Sequence, residues 1–280
     1  MNKFIPLTAV CALSGLAARA DLFNYDFGSG TGTHNTNSAS TTFLPPPAAG
    51  GGTARVRVGS GGGSFEMANP GDALGSATEL VGTAPTTGSV NKFSIHDITT
   101  PATQFSVSFT LKLTGGTAGT WYMFMGDGAS FSDNNGFSST QVMSGIQWIF
   151  GASGAVTENY RNGASWSALS NAFSQDTVYR VEIFANNAAS AASYGASQSL
   201  GANKWDLWVN STLVGDDLNK GALTAGANID SFMFYGESSA GNTAKIILDD
   251  IQYANTLTAV PEPASAGLLA LGLLLLRRRR

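Results

Sequence analysis

The segment from Gln104 to Thr114 alternates apolar and polar residues without a break. Because successive side chains of a β-strand point to opposite faces, this pattern predicts a strand with one apolar and one polar face. An apolar sheet face must pack against a second layer. The apolar residues of the segment are Phe105, Val107, Phe109, Leu111 and Leu113.

Shorter β-like runs recur between the two ends of the chain, and none of this region shows a convincing amphipathic helix. Turn-forming pairs such as Gly115-Gly116, Asn162-Gly163 and Asn210-Ser211 separate the runs. This pattern predicts an all-β fold, an antiparallel β-sandwich or jelly roll of a dozen or so strands. The further predicted strands are Arg55–Val58, Phe93–Ile98, Trp121–Met125, Ile146–Phe150, Val178–Phe184, Trp205–Val209, Ile229–Tyr235 and Lys245–Tyr253.

Two segments have a looser composition. Gly28 to Gly52 is rich in Gly, Ser, Thr and Asn and then contains three consecutive prolines. Ala185 to Ala202 consists mainly of Ala, Ser and Asn, with little to bury. We expect the first to be a long surface loop and the second a loop over one sheet edge.

The first twenty residues have the three-part layout of a secretory signal peptide. Lys3 gives a basic start, Ile5 to Leu16 is apolar, and the segment ends on the small residues Ala18 and Ala20. Signal peptidase accepts small residues at these two positions, so we expect cleavage before Asp21.

Charge and cysteine content limit what the remaining domain, residues 21–258, can do. It holds nine Lys and Arg against eighteen Asp and Glu, a net charge of −9. This balance argues against nucleic-acid binding, which requires clustered basic residues. The single cysteine, Cys11, lies in the signal segment, so the domain has no disulfide and no thiolate metal site.

The C-terminal segment, residues 260–280, joins three features in order. Pro261, Glu262 and Pro263 form a rigid extended motif, Ala264 to Leu276 is small and apolar, and four arginines close the chain. Thirteen apolar residues span about 20 Å as a helix, less than the roughly 30 Å hydrocarbon core. The arginines, which favour a cytoplasmic C-terminus, are Arg277, Arg278, Arg279 and Arg280.

These features resemble the PEP-CTERM sorting signal. The resemblance implies cleavage by an exosortase, a membrane protease, in a Gram-negative bacterium that makes exopolysaccharide. The expected partners are therefore signal peptidase, exosortase, the inner membrane transiently, and exopolysaccharide. The expected location is an inner-membrane-tethered precursor, and then the cell surface or biofilm matrix.

The domain between the ends resembles concanavalin A-like and laminin-G-like jelly rolls. The similar segments are Leu22–Phe27, Phe105–Leu113, Asp206–Asn210 and Ile247–Ile251. This resemblance implies that the last strand lies beside the first, with a terminal Asp-Asp-hydrophobic pattern. It suggests a fold rather than an activity.

Patterns typical of catalysis are missing from the sequence. A glycosidase needs two carboxylates facing one cleft. Glu182 stands alone on its predicted strand, and Asp249 and Asp250 are adjacent and so point to opposite faces. His34 and His96 have no neighbouring triad pattern. We predict that the protein is not an enzyme.

Calcium is the one cofactor that the sequence suggests. Asp249 alternates with Ile247, Ile251 and Tyr253, which predicts an acid on an apolar face, and a buried carboxylate needs a partner. The partner could be a structural calcium ion or ordinary hydrogen bonds. Carboxylates on the first and last strands could together hold the ion. The candidate ligands are Asp26, Asp249 and Asp250.

Aromatic side chains are the candidates for sugar binding. Alternation places Trp148 and Trp205 with core residues, whereas Trp208 lies on the opposite face and Trp166 lies in a polar stretch. Trp166 and Trp208 are therefore the predicted platforms. Trp121 and Tyr122 complete the candidate set. Three hypotheses remain: a structural or adhesive surface protein, which we favour, a glycan-binding lectin-like module, and, least favoured, a polysaccharide hydrolase.

Overall fold

The structure is a computed structural model that describes residues 22–257 except 70–73, 75–77, 133–135, 171, 196, 239–240 and 242. The helices are α1 (Ala129–Ser132) and two 3-10 turns, Ser139–Gln141 and Ala152–Gly154. The strands are β1 (Leu22–Tyr25), β2 (Gly32–His34), β3 (Ala39–Ser40), β4 (Thr53–Arg57), β5 (Ser64–Ala68), β6 (Glu79–Thr83), β7 (Val90–His96), β8 (Gln104–Thr114), β9 (Thr120–Gly126), β10 (Val142–Phe150), β11 (Val156–Asn162), β12 (Ser165–Ala168), β13 (Val178–Asn186), β14 (Ala192–Tyr194), β15 (Gln198–Leu200), β16 (Lys204–Val209), β17 (Thr212–Asn219), β18 (Ser231–Glu237) and β19 (Lys245–Ala254).

The strands form two large antiparallel sheets and one small hairpin. The first sheet has the order β17-β16-β13-β8-β19-β6-β5-β2, with β1 also paired to β19. The second sheet has the order β12-β11-β10-β9-β18-β7-β4-β3. The predicted fold class, an all-β antiparallel sandwich of the jelly-roll type, is confirmed. The nineteen strands exceed the dozen or so expected, because several are short edge strands.

The core lies between the two sheets. All five apolar residues of β8 are buried, as the alternation predicted. The ring of Phe109 on β8 meets Phe234 on β18 edge to face, with centroids 5.0 Å apart. Phe234 also stacks on Phe93 of β7 at 6.0 Å. Aromatic rings from both sheets therefore interdigitate, which identifies the inner faces of β7, β8 and β18.

The first and last strands pair as expected, with a β-bulge that the sequence did not reveal. β1 pairs with the second half of β19, and β6 pairs with its first half. Between the halves the register shifts at Asp249, and Asp250 adopts a left-handed φ of 48°. The bulge places Ile251 and Tyr253 in the core and leaves Asp249 on the outer face with Ile247. The predicted shared face is therefore right for Ile247 and wrong for Ile251 and Tyr253.

The two segments predicted to be loops contain further strands. The segment between Gly28 and Gly52 carries the short strands β2 and β3. The segment from Ala185 to Ala202 was wrongly predicted to be a loop. There β13 continues to Asn186, and β14 pairs with β15 as a hairpin that buries Tyr194 and Leu200.

Both predicted terminal segments, the signal peptide and the sorting tail, lie outside the described residues. Within residues 22–257, as far as they are described, no helix has the length and apolar character needed to cross a membrane.

Candidate functional site

Cross-strand register aligns one row of side chains across the outer face of the second sheet. Their sequence neighbours Val56, Phe93, Phe234 and Trp121 point into the core, so the row itself points outward. Each member is the direct partner of the next. The row is Arg57 (β4), Lys92 (β7), Tyr235 (β18), Tyr122 (β9), Gln147 (β10) and Asn159 (β11).

Aromatic rings gather around the middle of this row. Tyr122 and Phe124 stack with centroids 5.5 Å apart. The ring of Trp166 on β12 lies 5.5 Å from Tyr122 and 6.0 Å from Phe124. These rings line a shallow cavity of about 110 Å³, which we call the Trp166 groove. The groove is lined by Tyr122, Phe124, Phe137, Arg161, Trp166, Tyr235 and Glu237.

A chain of hydrogen bonds follows one side of the groove. The Tyr122 hydroxyl donates to the Glu237 carboxylate. Gln147 Nε2 donates to the Tyr122 hydroxyl oxygen at 3.2 Å, and Asn159 Nδ2 donates to Gln147 Oε1 at 2.8 Å. Burial, followed by the Glu237 carboxylate, raises the pKa of Tyr122 well above its usual range. Tyr122 therefore stays a protonated donor at neutral pH.

A buried lysine holds the loop that closes the groove. Lys92 is 1% exposed, and its ammonium donates to the carbonyl oxygens of Ser130 and Gly136 at 3.2 and 2.6 Å. The same ammonium lies 5.5 Å from the centre of the Tyr235 ring. The loop presents Phe137, which is 39% exposed, with its centroid 4.9 Å from that of Phe124. Lys92 thereby positions an exposed ring at the groove.

Arg161 forms the other side of the groove. Its guanidinium lies 5.1 Å from the centre of the Trp166 ring, a cation–π contact. The residue is only 7% exposed, and Nε has no hydrogen-bond partner in the described part of the chain. Burial lowers the pKa of Arg161, but an arginine remains charged at neutral pH.

The groove combines flat aromatic faces with amide, hydroxyl, carboxylate and guanidinium groups. Sugar rings have apolar C–H faces and polar edges, so they match such a surface. Of the residues that line the groove, Glu237 is the one carboxylate, whereas glycoside hydrolysis uses a pair. The histidines lie elsewhere. His96 Nδ1 contacts Asp97 at 2.9 Å, and His34 contacts the Ser38 carbonyl at 3.0 Å.

The aromatic candidates from the sequence divide into three environments. Trp148 and Trp205 are fully buried in the core, which confirms their predicted position, and Trp121 is buried there as well. Tyr122 and Trp166 meet in the groove. Trp208 does lie on an outer face, but on the first sheet.

Trp208 belongs to a separate set of side chains, the Trp208 cluster. Its indole N–H donates to the Tyr194 hydroxyl oxygen at 2.8 Å. The Tyr194 hydroxyl donates to Asp206 Oδ2 at 2.5 Å, and Asp206 Oδ1 accepts from the Asp217 backbone N–H at 2.7 Å. Trp208 packs against buried Phe184, Tyr194 and Leu200, so the β14-β15 hairpin covers this aromatic group.

Sequence reasoning missed Phe124, Phe137, Tyr235, Arg161 and Glu237. One available signal was that β9 is apolar or aromatic at every position from Trp121 to Met125. A strand that is apolar on both faces needs cover on both sides, from the chain or from a ligand. The position of the loop that carries Phe137 could not be read from the sequence.

The three candidate calcium ligands are not brought together. Asp249 is fully buried and accepts the Asp250 backbone N–H at 2.7 Å. Asp250 is exposed, and Asp26 is exposed and accepts the Gly28 backbone N–H at 3.0 Å. Among the described residues no group of three or more His, Cys, Asp or Glu side chains could hold a metal ion.

The residues predicted for processing, Ala18 and Ala20 at one end and Pro261 to Arg280 at the other, lie outside the described residues.

No family model matches this chain, and no curated protein matches it. Its fold is similar to several solved structures. A cellulose induced protein, Cip1, covers 85% of this chain over 99% of its own length, at 12% identity and a TM-score of 0.47. The alginate lyase Aly36B covers 85% over 97% of its length, at 13% identity and a TM-score of 0.46. A sialidase matches over 71% of this chain, which spans only 16% of that protein, at 13% identity and a TM-score of 0.47.

At identities this low the similarity concerns the path of the chain and not the side chains of a site. The fold and the groove together define a class, a jelly-roll β-sandwich with an open aromatic surface on one sheet.

Proposed function

We propose that this protein is a non-enzymatic glycan-binding protein that holds polysaccharide in the Trp166 groove. The observation that carries the proposal is the aromatic group on the outer face of the second sheet, in which Phe137 is exposed, Trp166 and Tyr235 are half-buried, and Tyr122 and Phe124 are buried. An adhesive role at the cell surface, the function favoured on sequence grounds, would then operate through sugar binding.

Two features support binding rather than another role. The Trp166, Tyr122 and Phe137 rings are held by neighbouring rings, so little side-chain freedom is lost when a ligand stacks on them. Polar groups of Gln147, Asn159 and Glu237 stand beside the rings, where they can contact sugar hydroxyls. Rigid aromatic faces beside polar groups are typical of ligand sites.

A binding role without catalysis is favoured by the carboxylates of the site. Glu237 is already bonded to the Tyr122 hydroxyl, and the groove lining offers no second carboxylate among its described residues. Neither of the two histidines lines the groove.

Titration calorimetry with a panel of soluble polysaccharides tests the proposal. We expect Trp166→Ala to lower the affinity for a bound glycan by about tenfold or more, since aromatic contacts contribute about 1–3 kcal/mol. Trp208→Ala is the matched control and should leave the affinity unchanged. Equal affinities for the wild type and Trp166→Ala would exclude the groove, and new reducing ends after incubation would indicate an enzyme.

We also propose that the protein is exported and sorted, on the strength of its two terminal segments. Cleavage after Ala20 and processing at Pro261-Glu262-Pro263 would release a soluble domain of charge −9 to the surface or matrix. Mass spectrometry of the mature protein from an exosortase-positive host tests both steps. A chain that retains Met1 would exclude export, and one that still ends at Arg280 would exclude sorting.

A further inference from the structure

The two sheets differ in charge. The strands of the first sheet carry eight Asp and Glu and four Lys and Arg, whereas those of the second carry two acidic and four basic residues. On the second sheet Glu158 points inward, where its carboxylate accepts the Phe173 backbone N–H at 2.8 Å. Its outer face therefore presents one acidic residue, Glu237, and four basic ones. These are Arg55, Arg57, Lys92 and Arg161. The strands of the second sheet thus place more basic than acidic residues on their outer face, although the domain as a whole carries a charge of −9.

Arg161 is the strongest indication of a ligand on this face. It is more than nine-tenths buried, lines the groove, and makes no hydrogen bond or ion pair with any residue that the structure describes. Its Nε is withdrawn from water without a partner, which is unfavourable, and a ligand acceptor at this nitrogen would remove the cost. A guanidinium presents parallel N–H donors that match the two oxygens of a carboxylate.

Arg57 repeats this arrangement at the other end of the row. It is 8% exposed, and one nitrogen donates to Asn37 Oδ1 at 3.0 Å. Its Nε and Nη1 have no hydrogen-bond partner among described residues. Arg57 lines a polar cavity of about 490 Å³ that shares Glu237 with the Trp166 groove, so the two cavities are neighbours on the same sheet.

The spacing of the two arginines indicates an extended ligand. Arg57 on β4 and Arg161 on β11 are separated by five strand-to-strand steps, about 24 Å at the usual strand spacing. The rings of Tyr235 and Tyr122 belong to strands that lie between the two arginines. The ring of Trp166 belongs to β12, the strand next to that of Arg161. A disaccharide could not reach both arginines, whereas a polymer could.

We propose that the ligand of the Trp166 groove is an acidic polysaccharide, whose uronate carboxylates bind Arg161 and Arg57 while intervening sugar rings stack on the aromatic side chains. This proposal rests on the proposed glycan-binding function and specifies its substrate class.

The other charged groups on the face have partners of their own. The Lys92 ammonium donates to two backbone carbonyls, and the Glu237 carboxylate accepts the Tyr122 hydroxyl. Glu237 lies between the two arginines, so ligand carboxylates belong at the ends of the path and not at its centre. Long-range repulsion by the −9 domain is screened beyond about 8 Å at physiological ionic strength.

Calorimetry with polygalacturonate and with the same polymer after carboxyl reduction tests the inference on the full chain. We expect the acidic polymer to bind at least tenfold more tightly than its reduced form. Arg161→Gln should lower the affinity for polygalacturonate about 10- to 100-fold and should lower the affinity for the reduced polymer far less. Arg161→Lys should lose part of the affinity, since it keeps the charge without the planar fork.

Three comparisons keep the result interpretable. Lys245→Gln removes an exposed cation from the first sheet and should have no effect. Arg57→Gln is the second test if Arg161→Gln fails to fold, and should weaken binding of long oligomers but not of disaccharides. Trp166→Ala should lower the affinity for both polymers by the same factor.

Equal affinity for the two polymers, unaffected by Arg161→Gln but lowered by Trp166→Ala, would overturn the acidic ligand and leave glycan binding in place. If a sulfated neutral galactan binds more tightly than polygalacturonate, the arginines bind sulfate groups rather than carboxylates, and the uronate assignment is overturned. Failure to bind any of these polymers would count against both proposals.

Discussion

Trp208 on the first sheet and Trp166 on the second are both half-buried, both lie on an outer face, and both contact a tyrosine. In the Trp208 cluster the indole, the Tyr194 hydroxyl and the Asp206 carboxylate are joined in one chain of hydrogen bonds. Beside Trp166 the Arg161 guanidinium makes a cation–π contact with the indole ring, and its Nε has no hydrogen-bond partner among the described residues. Satisfied polar groups distinguish an aromatic group that stabilises the fold from one that is open to a ligand.

The largest expected effect is on stability and comes from Asp206, in the Trp208 cluster. Asp206→Ala leaves the Tyr194 hydroxyl and the Asp217 N–H without their acceptor. The variant loses charge-assisted hydrogen bonds. Part of this loss is offset, because the variant no longer buries a carboxylate, and that burial is what raises the pKa of Asp206. We expect the free energy of unfolding to fall by about 2 kcal/mol in urea titrations.

The glycan affinity of Asp206→Ala should stay at the wild-type value, because the cluster lies on the other sheet. Glu66→Ala, at an exposed position of the first sheet, is the control and should change the stability by less than about 0.5 kcal/mol. A stable Asp206→Ala variant that loses glycan binding would show that the two faces had been assigned the wrong way round.

A substitution of Lys92 tests the Trp166 groove. Lys92→Met removes the ammonium that holds the carbonyls of Ser130 and Gly136, so the loop with Phe137 should loosen. We expect a loss of about 1–2 kcal/mol in unfolding free energy and a severalfold loss of glycan affinity. Lys245→Met, an exposed lysine on the first sheet, should change neither. If Lys92→Met is less stable but binds glycan with unchanged affinity, Phe137 is not part of the binding surface.

Much of the fold was predictable, because period-two patterns are local. The bounds of β8 agree with the predicted Gln104–Thr114, and burial of Trp148 and Trp205 followed from their alternation with apolar neighbours. The bulge at Asp249 was not predictable, since it depends on β1 and β6 sharing one edge of β19. One inserted residue changed the face assigned to Asp249.

The groove was predictable only in part, because it is assembled from four strands and a loop. Trp166 and Tyr122 were candidates on residue type alone. Arg161 could not be chosen among nine basic residues without the register that places it beside Trp166. The same register distinguishes Trp166 from Trp208, although the sequence pattern predicted both as sugar-binding platforms.

The calcium hypothesis concerns the first sheet, and its three candidate ligands differ in burial. Asp249 is fully buried, whereas Asp26 and Asp250 are exposed. Withdrawing a carboxylate from water is costly, and a calcium ion bound at Asp249 would offset that cost, so the hypothesis depends on Asp249.

Thermal unfolding in calcium and in chelator tests this site. At a calcium concentration tenfold above Kd, the expected gain in unfolding free energy is about 1.4 kcal/mol. Asp249→Asn should abolish the gain, whereas Asp26→Asn should retain it. Identical melting temperatures in calcium and in chelator would leave Asp249 with hydrogen bonds alone, such as the one from the Asp250 N–H.

The smallest effect concerns Asp230, at the acidic edge of the otherwise basic second sheet. Burial, then the nearby carboxylates of Asp127 and Asp97, raises the pKa of Asp230 above its ordinary value of 3.8. A carboxyl group with a raised folded-state pKa contributes stability that is present below pH 3.8 and is lost as the pH rises through the folded pKa. Asp230→Asn removes this loss and can still accept the Ser231 hydroxyl, which lies 2.7 Å from Oδ1. We therefore expect the variant to be more stable by about 0.5–1 kcal/mol at pH 7 and by nothing measurable at pH 3, in urea titrations with Glu66→Gln as the exposed control. A stability difference that does not change with pH would mean that the hydrogen bond to Ser231, and not the repulsion among the three carboxylates, decides the energetics of this edge.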